Sequence, residues 1–330
     1  MMRRCVALSV LFAVFAAAQD APFKSGISIV EVDVAVAGKG GPIEGLQLDD
    51  FSVKDNRQPV ALRYGSQDES ALDIVLLFEV SKLMAPKLMQ VRVAAEMAMA
   101  ELREGDRVAV MAFSEKSRVE EPLTNDLKAA KLRIRNGLAD AAFVGTPFVL
   151  PAADAAAKYL SALPEPHGRR VVLMFTGDAG FGLKNQNHMG VAKDLWEADA
   201  SLSAFVIPNA LTRLTRDTNP AHFVFLSGLL NLYDFIDDVA EQTGGEVVYT
   251  ASVGSIRQQD NPYSADPDTS FRQVVRQMRR RYRLYYDMPP GKPGQRREIK
   301  IELSPGAKAL HPDARIIGRK GYVIPKPGSR

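Results

Sequence analysis

From Ile27 to Ala37 the sequence ISIVEVDVAVA alternates apolar and polar residues at every second position, the period of a half-buried strand. A Gly-Lys-Gly-Gly-Pro turn (Gly38–Pro42) ends it, and LQLDDFSVKDN and PVALRYG (Pro59–Gly65) follow as short strands around Asp-Asn turn chemistry. At Asp73 the pattern changes. Ile74–Phe78 (IVLLF) is apolar throughout, as expected of a parallel strand buried on both faces. A long amphipathic helix is predicted over 86–103, a strand over Arg107–Phe113, and helices over Asp126–Leu138 and Val149–Leu163. A second fully apolar strand covers Val171–Phe175, followed by a helix at Met189–Ala200, a strand at Leu202–Ile207, a helix at Leu229–Thr243 stopped by Gly244-Gly245, and a short strand at Glu246–Tyr249.

This alternation predicts an α/β fold with a doubly wound, mostly parallel sheet and helices on both faces. Past the polar stretch Gln258–Asp268, a helix is predicted over Thr269–Arg281. Three β segments then follow, at Tyr282–Asp287, Arg297–Leu303 and Ala314–Tyr322. Short strands at both ends of an α/β core suggest that the ends meet as one small discontinuous β domain. The expected organisation is an N-terminal β segment over 19–68, an α/β domain over 69–257, a linker and helix over 258–281, and a C-terminal β segment over 282–330.

Composition adds a compartment. Arg3 and Arg4 precede an apolar run, Val6–Ala18, that ends in an A-x-A pattern, the layout of a secretory signal peptide over residues 1–18. The run is shorter than the ~20 residues that span a bilayer. The lone Cys, Cys5, would leave with it, and with Arg3 and Arg4 gone the net charge falls from +3 to +1 (40 Lys plus Arg against 39 Asp plus Glu). The expectation is a nearly neutral, cysteine-free chain that is periplasmic or secreted. That balance argues against nucleic acid as a partner.

Enzyme chemistry finds little support. The four His residues form no close pair, there is no G-x-S-x-G elbow, and no Cys remains as a nucleophile. The run Thr176–Gly182 (TGDAGFG) contains G-x-x-G-x-G, but no helix N-terminus directly follows to hold a pyrophosphate. Arg272, Arg276, Arg279, Arg280, Arg281 and Arg283 crowd the helix expected to end at Tyr282. Phe271, Val274, Val275 and Met278 form its apolar stripe, so the arginines read as a solvated face, with Arg279, Arg280 and Arg281 the candidates for contact with an anionic partner. The segment Asn209–Ser227 is a long connection that is either a buried extra turn or a contact surface.

Six segments in order carry a family resemblance: Ile29–Gly65, with its LQLDDFSVKDN stretch; DIVLLFEVSKLM (Asp73–Met84); RRVVLMFTGDAG (Arg169–Gly180); VAEQTGGEVVY (Val239–Tyr249); FRQVVRQMRRRYRLYY (Phe271–Tyr286); and ARIIGRKGY (Ala314–Tyr322). Together they resemble von Willebrand factor A (VWFA)-related proteins of the type common in Acidobacteria. The resemblance implies a metal-ion-dependent adhesion site, in which D-x-S-x-S, a Thr and a later Asp surround a divalent cation. Matched residue by residue, the site is degenerate. Glu79 stands for the first Asp, Ser81 is kept, and Leu83 replaces the second Ser. Thr146 matches the Thr, and Asp178 comes one residue late. Mg²⁺ demands near-ideal octahedral oxygen geometry, so no cofactor is expected beyond weak Mg²⁺ binding. The resulting expectation is an exported, non-enzymatic binding or adhesion-type module for a protein or surface polymer. Its contact loops would carry Lys82, Leu83, Met84, Gly145, Gly177 and Gly180. Two alternatives are a nucleotide-binding or hydrolytic α/β enzyme using the Gly177–Gly182 loop, and a scaffold whose β domain adds strands to a neighbour.

Overall fold

The computed structural model describes residues 28–39, 41–139, 144–164, 166–177, 187–207, 232–249 and 274–325. The leader expected over 1–18, the 209–227 segment, Asp178 and Gly180 lie outside these described residues. The chain starts with β1 (Ile29–Gly38), a two-residue β2 (Gly41–Pro42), β3 (Phe51–Asp55), β4 (Gln58–Val60) and β5 (Leu62–Glu69). Next come β6 (Leu72–Glu79), α1 (Leu88–Ala100), β7 (Arg107–Phe113), β8 (Ser117–Thr124), α2 (Leu127–Ala139), α3 (Val149–Ser161), β9 (Arg169–Gly177), α4 (His188–Glu197), β10 (Ala200–Ile207), α5 (Leu232–Thr243) and β11 (Val247–Tyr249). Residues 274–279 are helical and lead directly into β12 (Arg280–Asp287). The described chain closes with β13 (Arg296–Leu303), α6 (Pro305–Leu310), β14 (Arg315–Gly318) and β15 (Gly321–Val323).

The central sheet runs β11-β10-β9-β6-β7-β8, parallel except for the β7–β8 pair. Its two middle strands are buried along their whole length, which is why their sequences lack alternation. The alternation reappears in the packing. Leu72, Ile74, Leu76 and Phe78 face one core with α1 and α2, while Val75 and Leu77 face the other with α3, α4 and α5. The fold is α/β with a mixed central sheet. The edge strand β8 was not foreseen, because SRVEEPLT is polar and only part-buried along its length.

Two further sheets pack around a third core. One runs β14-β1-β12-β5, with β2 alongside β1, and the other β15-β13-β3-β4; every pairing in them is antiparallel. N-terminal and C-terminal strands thus pair directly: β1 with β12, and β3 with β13. Their shared core holds Val32, Val34, Phe51, Tyr282, Leu284 and Tyr286, among others. The single segment expected over Ala314–Tyr322 is in fact two strands, β14 on β1 and β15 on β13.

The arginine run departs most from expectation. The helix stops at residue 279, and Arg280 opens β12, so Arg279, Arg280 and Arg281 do not share an exposed helical face. Arg279 and Arg281 are each only 4% exposed, which removes both as contacts for an external anion. Arg279 holds Asp106 through two hydrogen bonds, Nη1 to Oδ1 at 2.9 Å and Nη2 to Oδ2 at 2.6 Å. Arg281 donates to the carbonyl of Gly244 at 2.8 Å; burial, with Arg169 close by, lowers its pKa to about 10. Arg280 alone stays half-exposed, and it pairs with Glu44 and Glu69.

These arginines fasten the strands built from the chain ends to the amino-terminal edge of the central sheet. Arg169, the first residue of β9, grips Asp33 of β1 with two bonds of 2.6 and 2.9 Å and donates to the carbonyls of Met278 and Arg279. Burial would raise the Asp33 pKa, but the charge and hydrogen bonds of Arg169 outweigh it and hold the carboxyl below its ordinary range. The only Trp, Trp196 on α4, fills the same junction. Its indole donates to the carbonyl of Gln242, and its ring occupies the space that a Cβ on Gly321 would take.

One surface pair carries a pH signature. Burial, then the carboxyl of Asp154 on α3, raises the pKa of Asp194 on α4 to about 6. A raised carboxyl pKa favours the folded state most below the unfolded value, and that contribution is lost as pH rises through about 6. Asp194→Asn is therefore expected to stabilise the protein at pH 7 by about 0.5–1 kcal/mol, after allowance for screening by water, and to have no effect near pH 4. Urea unfolding at the two pH values measures the difference.

Candidate functional site

The chain crosses from one half of the central sheet to the other between β6 and β9, so a crevice opens where these strands end, the usual ligand position in such sheets. β6 ends at Glu79 and β9 at Thr176-Gly177. Beneath them, Phe78 stacks on Phe175 (centroids 4.8 Å apart), and Phe175 meets Phe205 at 5.5 Å, a stiff aromatic row across three adjacent strands.

Glu79 is 2% exposed, and its carboxylate is the hub of the crevice. It accepts hydrogen bonds from the Ser81 hydroxyl, from Thr176 Oγ1 at 2.6 Å and from the Gly177 amide at 2.8 Å. Ser81 Oγ in turn accepts from the Leu83 amide at 3.2 Å. Ser81 and Thr176 are fully buried. The Glu79 side chain thus bridges β6 and the end of the neighbouring β9.

The structure brings Ser81 and Thr176 together as the two hydroxyls on the Glu79 carboxylate. Thr146 lies half-buried on the loop before α3. Met84, expected on a contact loop, is instead fully buried in the core with α1, its sulfur 3.1 Å from where a Cβ on Gly177 would stand. An apolar side chain next to the last apolar strand positions is worth more under cover than in water. Lys82, Leu83 and Gly145 are exposed; Leu83 (36%) and Val144 (60%) are apolar residues on the carboxyl-end loops. Gly145 takes φ +75°, a left-handed conformation that suits glycine.

One residue of the crevice escaped the sequence reading. Lys87, at the start of α1, donates from Nζ to the carbonyl of Ile207 at 2.7 Å. Its sequence signal is a local violation. A cation at a helix N-terminus opposes the helix dipole, and Lys87 offers no side-chain cap in return.

Residues 74–180 match the family model of the von Willebrand factor type A domain. The chain carries a von Willebrand A-related domain. The match takes in β6 through β9 and both strand ends of the crevice, about a third of the 330 residues. No curated protein matches the chain. Similar solved structures include BatB of Bacteroides thetaiotaomicron, a conserved hypothetical protein: 15% identity over 63% of this chain and 98% of that one, TM-score 0.43. A von Willebrand factor type A protein of Catenulispora acidiphila is 12% identical over 92% of this chain and 76% of the other, TM-score 0.45. Proximal thread matrix protein 1 from the mussel byssus is 13% identical over 68% and 51%, TM-score 0.44.

The donors described in the A-domain crevice do not fit a resident divalent ion. Both Glu79 oxygens are engaged by internal donors, the Ser81 oxygen already accepts an amide, and an ammonium stands nearby. An octahedral Mg²⁺ needs those lone pairs itself.

Proposed function

We propose that the protein is an exported, non-enzymatic binding module of the adhesion type, allied to the Acidobacteria VWFA-related proteins, that recognises a protein or surface polymer. In this reading the signal peptide leaves, the strands from the two chain ends form one discontinuous β domain, and the metal-ion-dependent adhesion site is degenerate. One observation carries it: the two ends of the central sheet have different surroundings. The amino-terminal edge is taken up by the strands of the chain ends, through Arg169, Arg279, Arg281 and Trp196. The carboxyl end keeps Lys82, Leu83 and Val144 exposed on its loops. A nucleotide-binding role is less well supported, since the Gly177 amide, the first on the Gly177–Gly182 loop, is spent on Glu79 and cannot be offered to phosphate.

Photo-crosslinking amino acids placed at Leu83 and at Val144 test the reading in the producing cell. Discrete adducts are expected at both positions and none at Leu310, a still more accessible residue on α6 (78% exposed). Adducts at Leu310 alone, or at no position, would overturn it.

A further inference from the structure

We propose that Lys87 is a built-in cation that does at this crevice the electrostatic work a divalent ion does at an intact adhesion site. The inference deepens the binding-module reading by making its site independent of metal. Four observations converge on it. Glu79 is buried at the crevice floor, and a buried carboxylate needs a compensating charge. Lys87 Nζ and Glu79 Oε2 both lie against one point: a Cβ on Gly177 would stand 3.6 Å from the first and 3.8 Å from the second.

The sheet register explains this proximity. Ile207, whose carbonyl holds the ammonium, is the residue opposite Gly177 on the neighbouring strand, and the Gly177 amide is bonded to Glu79. The last observation is the cost at the helix. Lys87 sits where the dipole of α1 repels a cation, so its position is favoured by tertiary partners rather than by the helix. An ammonium brings one charge and three donors but no coordination sphere. It sets a fixed positive charge near the carboxylate and leaves nothing for a chelator to remove.

The test is a double-mutant cycle on the full chain, read by thermal unfolding. Lys87→Met strands the Glu79 charge and is expected to lower Tm by roughly 4–8 °C. Glu79→Gln keeps the size and removes the charge. The Lys87→Met/Glu79→Gln double variant is expected to melt above Lys87→Met alone, and Lys87→Arg to keep most of the original Tm. If Lys87→Met does not fold, recovery of a cooperative transition in the double variant supports the proposal equally. Strictly additive losses, or no recovery, would overturn the proposal. So would a saturable rise in Tm of the unaltered protein with Mg²⁺. No partner takes part in these melts, so failure of the crosslinks at Leu83 and Val144 would count against the binding face and not against Lys87.

Discussion

Arg279→Met is expected to destabilise the protein by about 3–5 kcal/mol, because it leaves the Asp106 carboxylate buried without its cation. Asp106 is 1% exposed and also accepts the backbone amides of Leu72 at 2.9 Å and Arg103 at 2.7 Å. It therefore joins the start of β6, the end of α1 and the residue that leads into β12. Urea unfolding gives the size of the loss, and Arg280→Gln, at an exposed neighbour, should cost no more than about 1 kcal/mol. Acid supplies a second signature. Burial would raise the Asp106 pKa, but the Arg279 bond and the two amides prevail and hold it below the ordinary carboxylate range. A depressed carboxyl pKa contributes stability above the unfolded value, and that contribution fades as pH falls through the folded one. The gap between the original protein and Arg279→Met should therefore narrow below about pH 4. A gap that stays constant with pH would show that the loss is one of packing alone.

Asp55→Ala is expected to cost a similar ~3–5 kcal/mol, and to act on the other core. Asp55 is fully buried on β3, and it gathers three residues from the far end of the sequence. Arg297 of β13 donates at 2.5 Å, Tyr286 of β12 at 3.0 Å and Tyr322 of β15 at 2.8 Å. Burial, together with the adjacent carboxylate, pushes both phenols above their ordinary pKa, so they remain donors at any working pH. Removing Asp55 strands a guanidinium that is 8% exposed along with two phenols. Near-UV circular dichroism should lose tyrosine signal, and amide exchange should accelerate across β3 and β13. Asp55→Asn, which can still accept from the phenols, should lose less. Equal losses for both variants would place the effect in strand packing and not in the charge.

These two carboxylates also mark how far sequence reading reaches. Glu79 and Ser81 were legible as crevice residues through the family resemblance, which matches them to its first-strand motif at the end of the sheet where such folds bind ligands. Lys87 was not, because its place depends on a register between β9 and β10 that no local pattern encodes, and Thr176, legible only as part of the Thr176–Gly182 run, takes its role from the pairing of β6 with β9. The arginines misled for a related reason. Cations spaced around an apolar stripe describe a solvated helix equally well as a buried junction. What separates the two is the carboxylate opposite, and for Arg279 that is Asp106, 173 residues away in the chain.

What the sequence by itself determined was the set of elements and the class of the central sheet. Hydrophobic period is a local consequence of burial, and IVLLF and VVLMF can be buried only between two layers of helix. The end of the sheet where ligands belong follows from that class. Only the tertiary structure decided which charges are spent inside. Asp55, Asp106 and Glu79 look alike along the chain as acids near strand ends, yet each is buried against its own distant partners. A charge is stable in the interior only when such partners close around it, and that closure is a property of the assembled fold.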